Sequence, residues 1–184
     1  MTAPRIIAGA FRGRALVTPP GETTRPTAGR VRQAVFDMLM HAPWADRAIE
    51  GRAVLDVFAG SGALGLEALS RGAALAGFID HDRAAVAAIG ANIVACKAGS
   101  VAAVFGCDAL KPPRGMPHEL VFLDPPYGRG LVPAAVASLR EAGWIAPGAL
   151  IVGEFGRVES MPEGIEALAV REHGAARVVI WRGG

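Results

Sequence analysis

From residue 51 onward, short apolar runs recur along the chain, each closed by glycine or by an acid. Ala53-Val54-Leu55-Asp56-Val57 predicts a buried strand, followed by a glycine-rich turn and a helix from about Ala63 to Arg71. Leu75–Ile79 predicts a second strand ended by Asp80, and Asp82 opens a helix that runs to about Ala95. Val101–Phe105, Leu120–Leu123 and Ala149–Val152 predict three more strands. Pro133 suits the first turn of a helix reaching about Ala142, and Ile165–Arg171 with Arg177–Trp181 read as a closing strand pair. Before residue 50 the rhythm differs. Arg5-Ile6-Ile7-Ala8 and Arg14-Ala15-Leu16-Val17 predict a small hairpin, which Thr18-Pro19-Pro20-Gly21 interrupts. From Thr27 a helix is predicted with Val31, Val35, Met38 and Leu39 on one face. Arg30 and Arg32 fall off that face, in solvent or on a ligand.

Apolar strands alternating with helices imply right-handed βαβ units and a parallel sheet, an α/β architecture of Rossmann-like type. In such sheets ligands bind beyond the carboxyl ends of the strands. Acids stand at four of those ends: Asp56, Asp80, Asp108 and Asp124. The chain divides into a basic hairpin-and-helix extension over residues 1–50 and a catalytic domain over 51–184, with no internal repeat.

Charge sharpens this division. Residues 1–32 hold six arginines (Arg5, Arg12, Arg14, Arg25, Arg30, Arg32) against Glu22, a net +5 that leaves −3 for the remainder of a chain with overall charge +2. A basic arm on a slightly acidic body suits a polyanionic partner, and the interleaved Ile6, Ile7, Phe11, Leu16 and Val17 mark the arm as folded. Six arginines on the phosphates of single-stranded or looped RNA would give a log–log salt slope of roughly −4. Other classes recede. At 184 residues and 52% hydrophobic the chain reads as one soluble domain, and no stretch of eighteen apolar residues or signal-peptide core occurs, so a cytoplasmic location is expected and a membrane is not. Cys96 and Cys107 form no CxxC pair, and His41, His81, His118 and His173 have no ligand spacing, so no metal is expected.

Gly60-Ser61-Gly62-Ala63-Leu64-Gly65 fits G-x-G-x-x-G between a strand and a helix. Phe58, Ala59, Gly60, Ser61 and Gly62 would bring backbone close to a cofactor, and Asp80, twenty residues after Gly60, would accept from ribose hydroxyls. Thus far an NAD(P) oxidoreductase and any other adenosine cofactor fit equally. Asp56 tips the choice, because a carboxylate there repels a pyrophosphate and suits the cationic amino end of S-adenosylmethionine, directly or through water. Asp108-Ala109 stands where an adenine amino group would be met.

The second motif is Asp124-Pro125-Pro126-Tyr127. Two prolines cannot extend a ladder or a helix, so they fix the backbone of a loop. If Asp124 and the Pro125 carbonyl both accept N–H bonds from an exocyclic base amine, its nitrogen can pyramidalise and aim its lone pair at a methyl group. Tyr127 offers a face on which a splayed-out base can stack.

LDVFAGSGALGLEALSRG (55–72) followed by LDPPYGRGL (123–131) resembles the RsmD-type methyltransferases, which methylate a guanine N2 in small-subunit (16S) ribosomal RNA. RIIAGAFRGRAL (5–16), TRPTAGRVRQAVFDML (24–39) and 143–151 match that family too, while 157–184 matches only loosely. The resemblance implies a class I fold with a seven-stranded, mostly parallel sheet, S-adenosylmethionine as cofactor, and small-subunit ribosomal RNA, naked or within an assembling subunit, as partner; a monomer is expected, although the residues do not decide whether the enzyme dimerises. Similar motifs occur in DNA adenine-N6 and cytosine-N4 methyltransferases, but this chain has no insertion large enough to read DNA sequence. N-P-P-Y marks protein-glutamine methyltransferases, and here Asp stands in place of Asn. A non-catalytic RNA-binding module is the remaining alternative, and the intact D-P-P-Y argues against it.

Overall fold

Val54, Leu55, Val57 and Leu120–Leu123 are buried on both sides, as central parallel strands must be. The structure, a computed structural model, describes residues 3–20, 26–126, 128–159 and 164–184, with backbone only at 26–28. Its elements in chain order are α1 (Pro26–His41), β1 (Ala53–Val57), α2 (Ala63–Ser70), β2 (Leu75–Asp80), α3 (Arg83–Ala95), β3 (Ala102–Gly106), β4 (His118–Leu123), α4 (Leu131–Glu141), β5 (Ile145–Gly156), β6 (Ala167–His173) and β7 (Ala176–Arg182). The strands form one seven-stranded sheet in the order β3-β2-β1-β4-β5-β7-β6. The first five run parallel, whereas β7 is antiparallel to both β5 and β6. The order reverses between β1 and β4, where the crossovers leave the sheet in opposite directions and a crevice opens.

Neighbouring residues of each strand feed opposite layers. Val54, Phe78, Leu120, Phe122 and Val152 pack with α1, α2 and α3, and this layer also takes in Ile6 and Leu16 of the arm. Leu55, Val57, Ile79, Val121 and Leu123 pack on the other face with Val132, Ala135 and Leu139 of α4 and with Trp144. Contact between α2 and the sheet is close. A Cβ on Gly65 would lie 2.4 Å from the Phe78 ring, so this glycine serves packing.

Two elements depart from expectation. β5 extends to twelve residues, because its start pairs with β4 through a bulge and its end, Gly153–Gly156, is carried on by antiparallel pairing with β7. The predicted hairpin reduces to a single bridge between Arg5 and Ala15. The ladder stays short for a physical reason: the backbone N–H groups of Ile7 and Ala8 donate to Glu67, at 2.7 and 3.0 Å, and that of Val17 to Asn92 Oδ1 at 2.8 Å. The arm pairs with itself over one short stretch, where Leu16 N–H meets the Pro4 carbonyl, Ile6 N–H the Arg14 carbonyl and Gly13 N–H the Ile6 carbonyl, and it docks on the helices beyond that stretch.

Candidate active site

The two motifs meet at the sheet's switch point. Val57, the last residue of β1, is in register with Leu123, the last of β4. The glycine turn and Asp124 therefore leave adjacent strand ends, and the Asp124 N–H points to the Val57 carbonyl at 3.4 Å. The turn itself is tightly wound. Phe58, Gly60 and Gly62 have φ of 59°, 54° and 75°, and for Phe58, an aromatic residue, that left-handed backbone is strained. Ala59 N–H donates to the Ile79 carbonyl and Gly62 N–H to the Ala59 carbonyl. Buried Ser61 offers its carbonyl to Asn92 Nδ2 at 2.8 Å, which ties the turn to α3.

Three of the four predicted acids share one electrostatic field. Asp56 is 1% exposed, and its Oδ2 accepts from the Gly65 N–H at 2.8 Å. Burial pushes its carboxyl up to about 8; the Gly65 N–H opposes this, while Asp124 and Asp80 reinforce it. Asp56, expected to meet a cationic amino group directly or through water, lies beneath the turn and orients α2. Asp80 closes β2, its two oxygens accepting from Gly60 N–H and Asp82 N–H, each at 2.9 Å. It holds the turn and stands at its edge. Asp108 lies one strand further out, after the edge strand β3, exposed and capping Leu110 N–H, with Ala109 buried behind it. Asp124 and Pro126 are exposed and Pro125 is buried; Tyr127 lies outside the described residues.

A proton-linked test follows from Asp56. The unfolded carboxyl titrates near 4, so between about pH 4 and 8 the folded protein holds a proton that the unfolded chain has released. Stability attributable to this group is therefore greatest in acid and falls as pH rises towards 8. Asp56→Asn, which keeps an acceptor for Gly65, should raise the melting temperature at pH 8 by roughly 5 °C and by progressively less toward pH 4. Thermal unfolding across that range measures it; a pH-independent difference between the two proteins would refute the burial argument.

The arginines separate. Arg5, Arg12, Arg14 and Arg30 are exposed, Arg5 also donating to the Gly13 carbonyl at 2.8 Å. Arg32 departs from its predicted place on RNA: its Nη2 donates to the Arg5 carbonyl at 2.6 Å, its Nε is buried, and burial lowers its pKa despite nearby Glu67. Arg32 thus braces the arm against α1 from within. Arg25 lies outside the described residues.

Sequence reasoning missed the residues that hold the arm and the loops. Glu67 is fully buried, accepts the two arm N–H groups and pairs with Arg71 Nε at 2.8 Å, while Arg71 stacks over Phe36 at 4.9 Å. Ser70 Oγ donates to the Ala8 carbonyl and accepts from Phe11 N–H. Asn92 bonds both Val17 N–H and Val17 C=O, so one amide joins arm, α3 and glycine turn. The available signal was polar residues isolated in α2 and α3, helices otherwise apolar on nearly every side. Among the described residues there is no cluster of three or more His, Cys, Asp or Glu able to hold a metal, and no helix long and apolar enough to cross a membrane.

Comparison with known proteins agrees with this geometry. A family described as conserved hypothetical protein 95 matches residues 4–182. Ribosomal RNA small subunit methyltransferase D of Escherichia coli K12 is 44% identical over 152 residues, 82% of this chain and 73% of that protein. The solved structure of an E. coli protein described as putative methyltransferase yhhF superposes with a TM-score of 0.82 at 40% identity, over 97% of each chain. An RNA methyltransferase from Salinibacter ruber, solved with S-adenosyl-L-homocysteine, shares the fold at a TM-score of 0.60 and 16% identity, over 88% of this chain and 93% of that one.

Proposed function

Because the chain belongs to the family of conserved hypothetical protein 95, to which its relative methyltransferase D is so similar, we propose that it transfers a methyl group from S-adenosylmethionine to the N2 amine of a guanine in small-subunit ribosomal RNA. The observation that carries this reading is the junction of glycine turn and Asp124-Pro125-Pro126 at adjacent strand ends. Asp80 and Asp124 beside the turn, with Asp56 protonated beneath it, favour a cationic amino-acid nucleoside over a dinucleotide pyrophosphate.

S-Adenosylmethionine, when bound, supplies an electrophilic methyl on its sulfonium. Backbone of residues 58–62 and the carboxylates of Asp80 and Asp108 are the groups to hold it, with Asp56 setting α2 beneath them. Asp124 and the Pro125 carbonyl accept the two N–H bonds of the amine, which draws the nitrogen out of conjugation and stabilises the positive charge it acquires. The base leaves its stack to enter, and Tyr127 is assigned to stack on it. A ribosomal substrate implies a cytoplasmic enzyme, and residues 1–50 serve it as the RNA-contacting extension.

The arm's placement revises the salt dependence. Its loop docks at Ser70, at the far end of α2 from the glycine turn, while Val17 is tied through Asn92 to the turn itself, so the arm runs alongside the site. With Arg5, Arg12, Arg14, Arg25 and Arg30 on phosphates and Arg32 withdrawn, the log–log slope becomes about −3.5, and fourfold more salt weakens binding roughly a hundredfold. Reversing Arg12 and Arg14 to Glu should flatten that slope by at least about one unit in a fluorescence titration. An unchanged slope would remove the arm from the interface.

The deciding experiment is incubation of labelled S-adenosylmethionine with undermodified small subunits, followed by nucleoside analysis. N2-methylguanosine is expected; label in another nucleoside, or none, would overturn the proposal.

A further inference from the structure

Residues 157–184 carry no motif, yet one of them holds the loop that follows Asp124. One turn beyond the end of β5, the Glu159 N–H donates to the Gly156 carbonyl and Glu159 Oε2 accepts from the Gly156 N–H at 2.6 Å. Its other oxygen accepts from Gly128 N–H at 2.7 Å and Gly130 N–H at 3.4 Å. The Glu159 carbonyl is bonded in turn by Arg177 of β7. One side chain thus spans the strand end of β5 and the loop between β4 and α4.

That loop needs an outside anchor. Gly128 and Gly130 have left-handed φ of 79° and 60°, and glycine contributes no side chain to restrain such backbone. Gly130 is the N-cap of α4 and provides no side-chain cap, although helix starts leave several N–H groups without internal partners. The Glu159 carboxylate reaches the N–H of the N-cap residue Gly130 at 3.4 Å, and its charge suits the positive end of the helix dipole. Upstream, the same loop is held by β4 pairing and by the contact of Asp124 N–H with Val57.

We infer that Glu159 is a positioning residue for methyl transfer: its carboxylate pins residues 128–130 to the end of β5, and so fixes the aim of Asp124 and the Pro125 carbonyl at the amine. This rests on the assignment of residues 124–126 to amine binding. Errors of about 1 Å in such aim cost up to roughly a hundredfold in rate, while ligands held by the glycine turn are not affected.

Glu159→Ala should lower kcat about ten- to a hundredfold, with the dissociation constant for S-adenosylhomocysteine unchanged within twofold. Glu159→Gln keeps one acceptor oxygen but turns its amide NH2, a donor, toward another N–H, so its kcat should fall between alanine and wild type. The N–H bonds, that of Gly156 foremost, hold the Glu159 carboxyl below its ordinary range. The clamp is therefore intact above the ordinary Glu pKa and is lost only as pH falls through the depressed value, so the ratio of wild-type to Gln rates should be constant from about pH 6 to 8. A ratio that varies across that window would make Glu159 a proton-transfer group and overturn the positioning role.

Amide hydrogen exchange at Gly128, Gly130 and Gly156 is read on the protein alone. Faster exchange in the alanine variant, together with lower kcat, is the expected result. Unaltered exchange would overturn the clamp, and faster exchange with full kcat would overturn its part in catalysis. No methyl transfer by the wild-type protein would instead overturn the functional reading, while the exchange rates would still decide the clamp.

Discussion

Asp124→Ala should abolish methyl transfer to small-subunit RNA for practical purposes, with a loss of at least roughly 10²–10³-fold in kcat, the scale seen when one preorganised charge-stabilising partner is removed. The reason is electronic. An exocyclic amine conjugated with its ring is a poor nucleophile, and it acquires positive charge only as the new bond forms. A carboxylate that accepts its N–H therefore acts more strongly in the transition state than in the ground state. Asp124 is exposed at the mouth, at the end of a strand whose neighbour carries the glycine turn, so its removal disturbs no buried packing. Affinity for S-adenosylhomocysteine should stay within a few-fold of wild type, since the glycine turn that holds the cofactor leaves the neighbouring strand. Single-turnover transfer and calorimetry on the same preparation check both parts. Near-normal transfer would remove Asp124 from the chemistry.

Glu67→Ala should unfold the protein more easily than any other substitution considered. Glu67 is fully buried, accepts the backbone N–H groups of Ile7 and Ala8, and pairs with Arg71. Alanine would leave two N–H groups and a guanidinium without their acceptor in the interior. Breaking a buried pair from one side costs about 3–5 kcal/mol, equivalent to a fall in melting temperature of roughly 10 °C for a domain of this size. Proteolysis should then cut first within residues 5–17, since the arm loses its anchor before the sheet does. RNA affinity should drop with it, although every arginine remains. A melting temperature within about 2 °C of wild type would show that the arm is held chiefly by the apolar contacts of Ile6 and Leu16.

These residues also mark what could be read from the chain. Acids after apolar runs are conspicuous, and all four proved to stand at or just beyond the ends of the strands they were assigned to. The glycine turn and the proline pair were equally legible, because only backbone demands put those residues next to a strand. Arg32 was not: off the apolar stripe of its helix it reads as a solvent cation, and only the arm folded across it turns its guanidinium inward. Nor was the burial of Asp56, which depends on how closely α2 approaches Phe78. Glu159 carried no signal, since the two partners that make it a clamp are backbone N–H groups some thirty residues away.

The order of apolar runs, the turn residues and the strand-end acids by themselves determined a parallel α/β sheet, a cofactor-type glycine turn and a loop suited to a planar amine. These are local properties, encoded in periodicity of two or 3.6 residues and in the few residues whose backbone tolerates a tight turn. The tertiary structure alone decided that the two motifs share one mouth, that three of the four acids share one field, and that the arm docks on α2 and α3 through Glu67, Ser70 and Asn92. Such facts depend on strand order and on the partners of buried polar groups. Those partners are set by closing distances across the whole chain, and no window of sequence contains them.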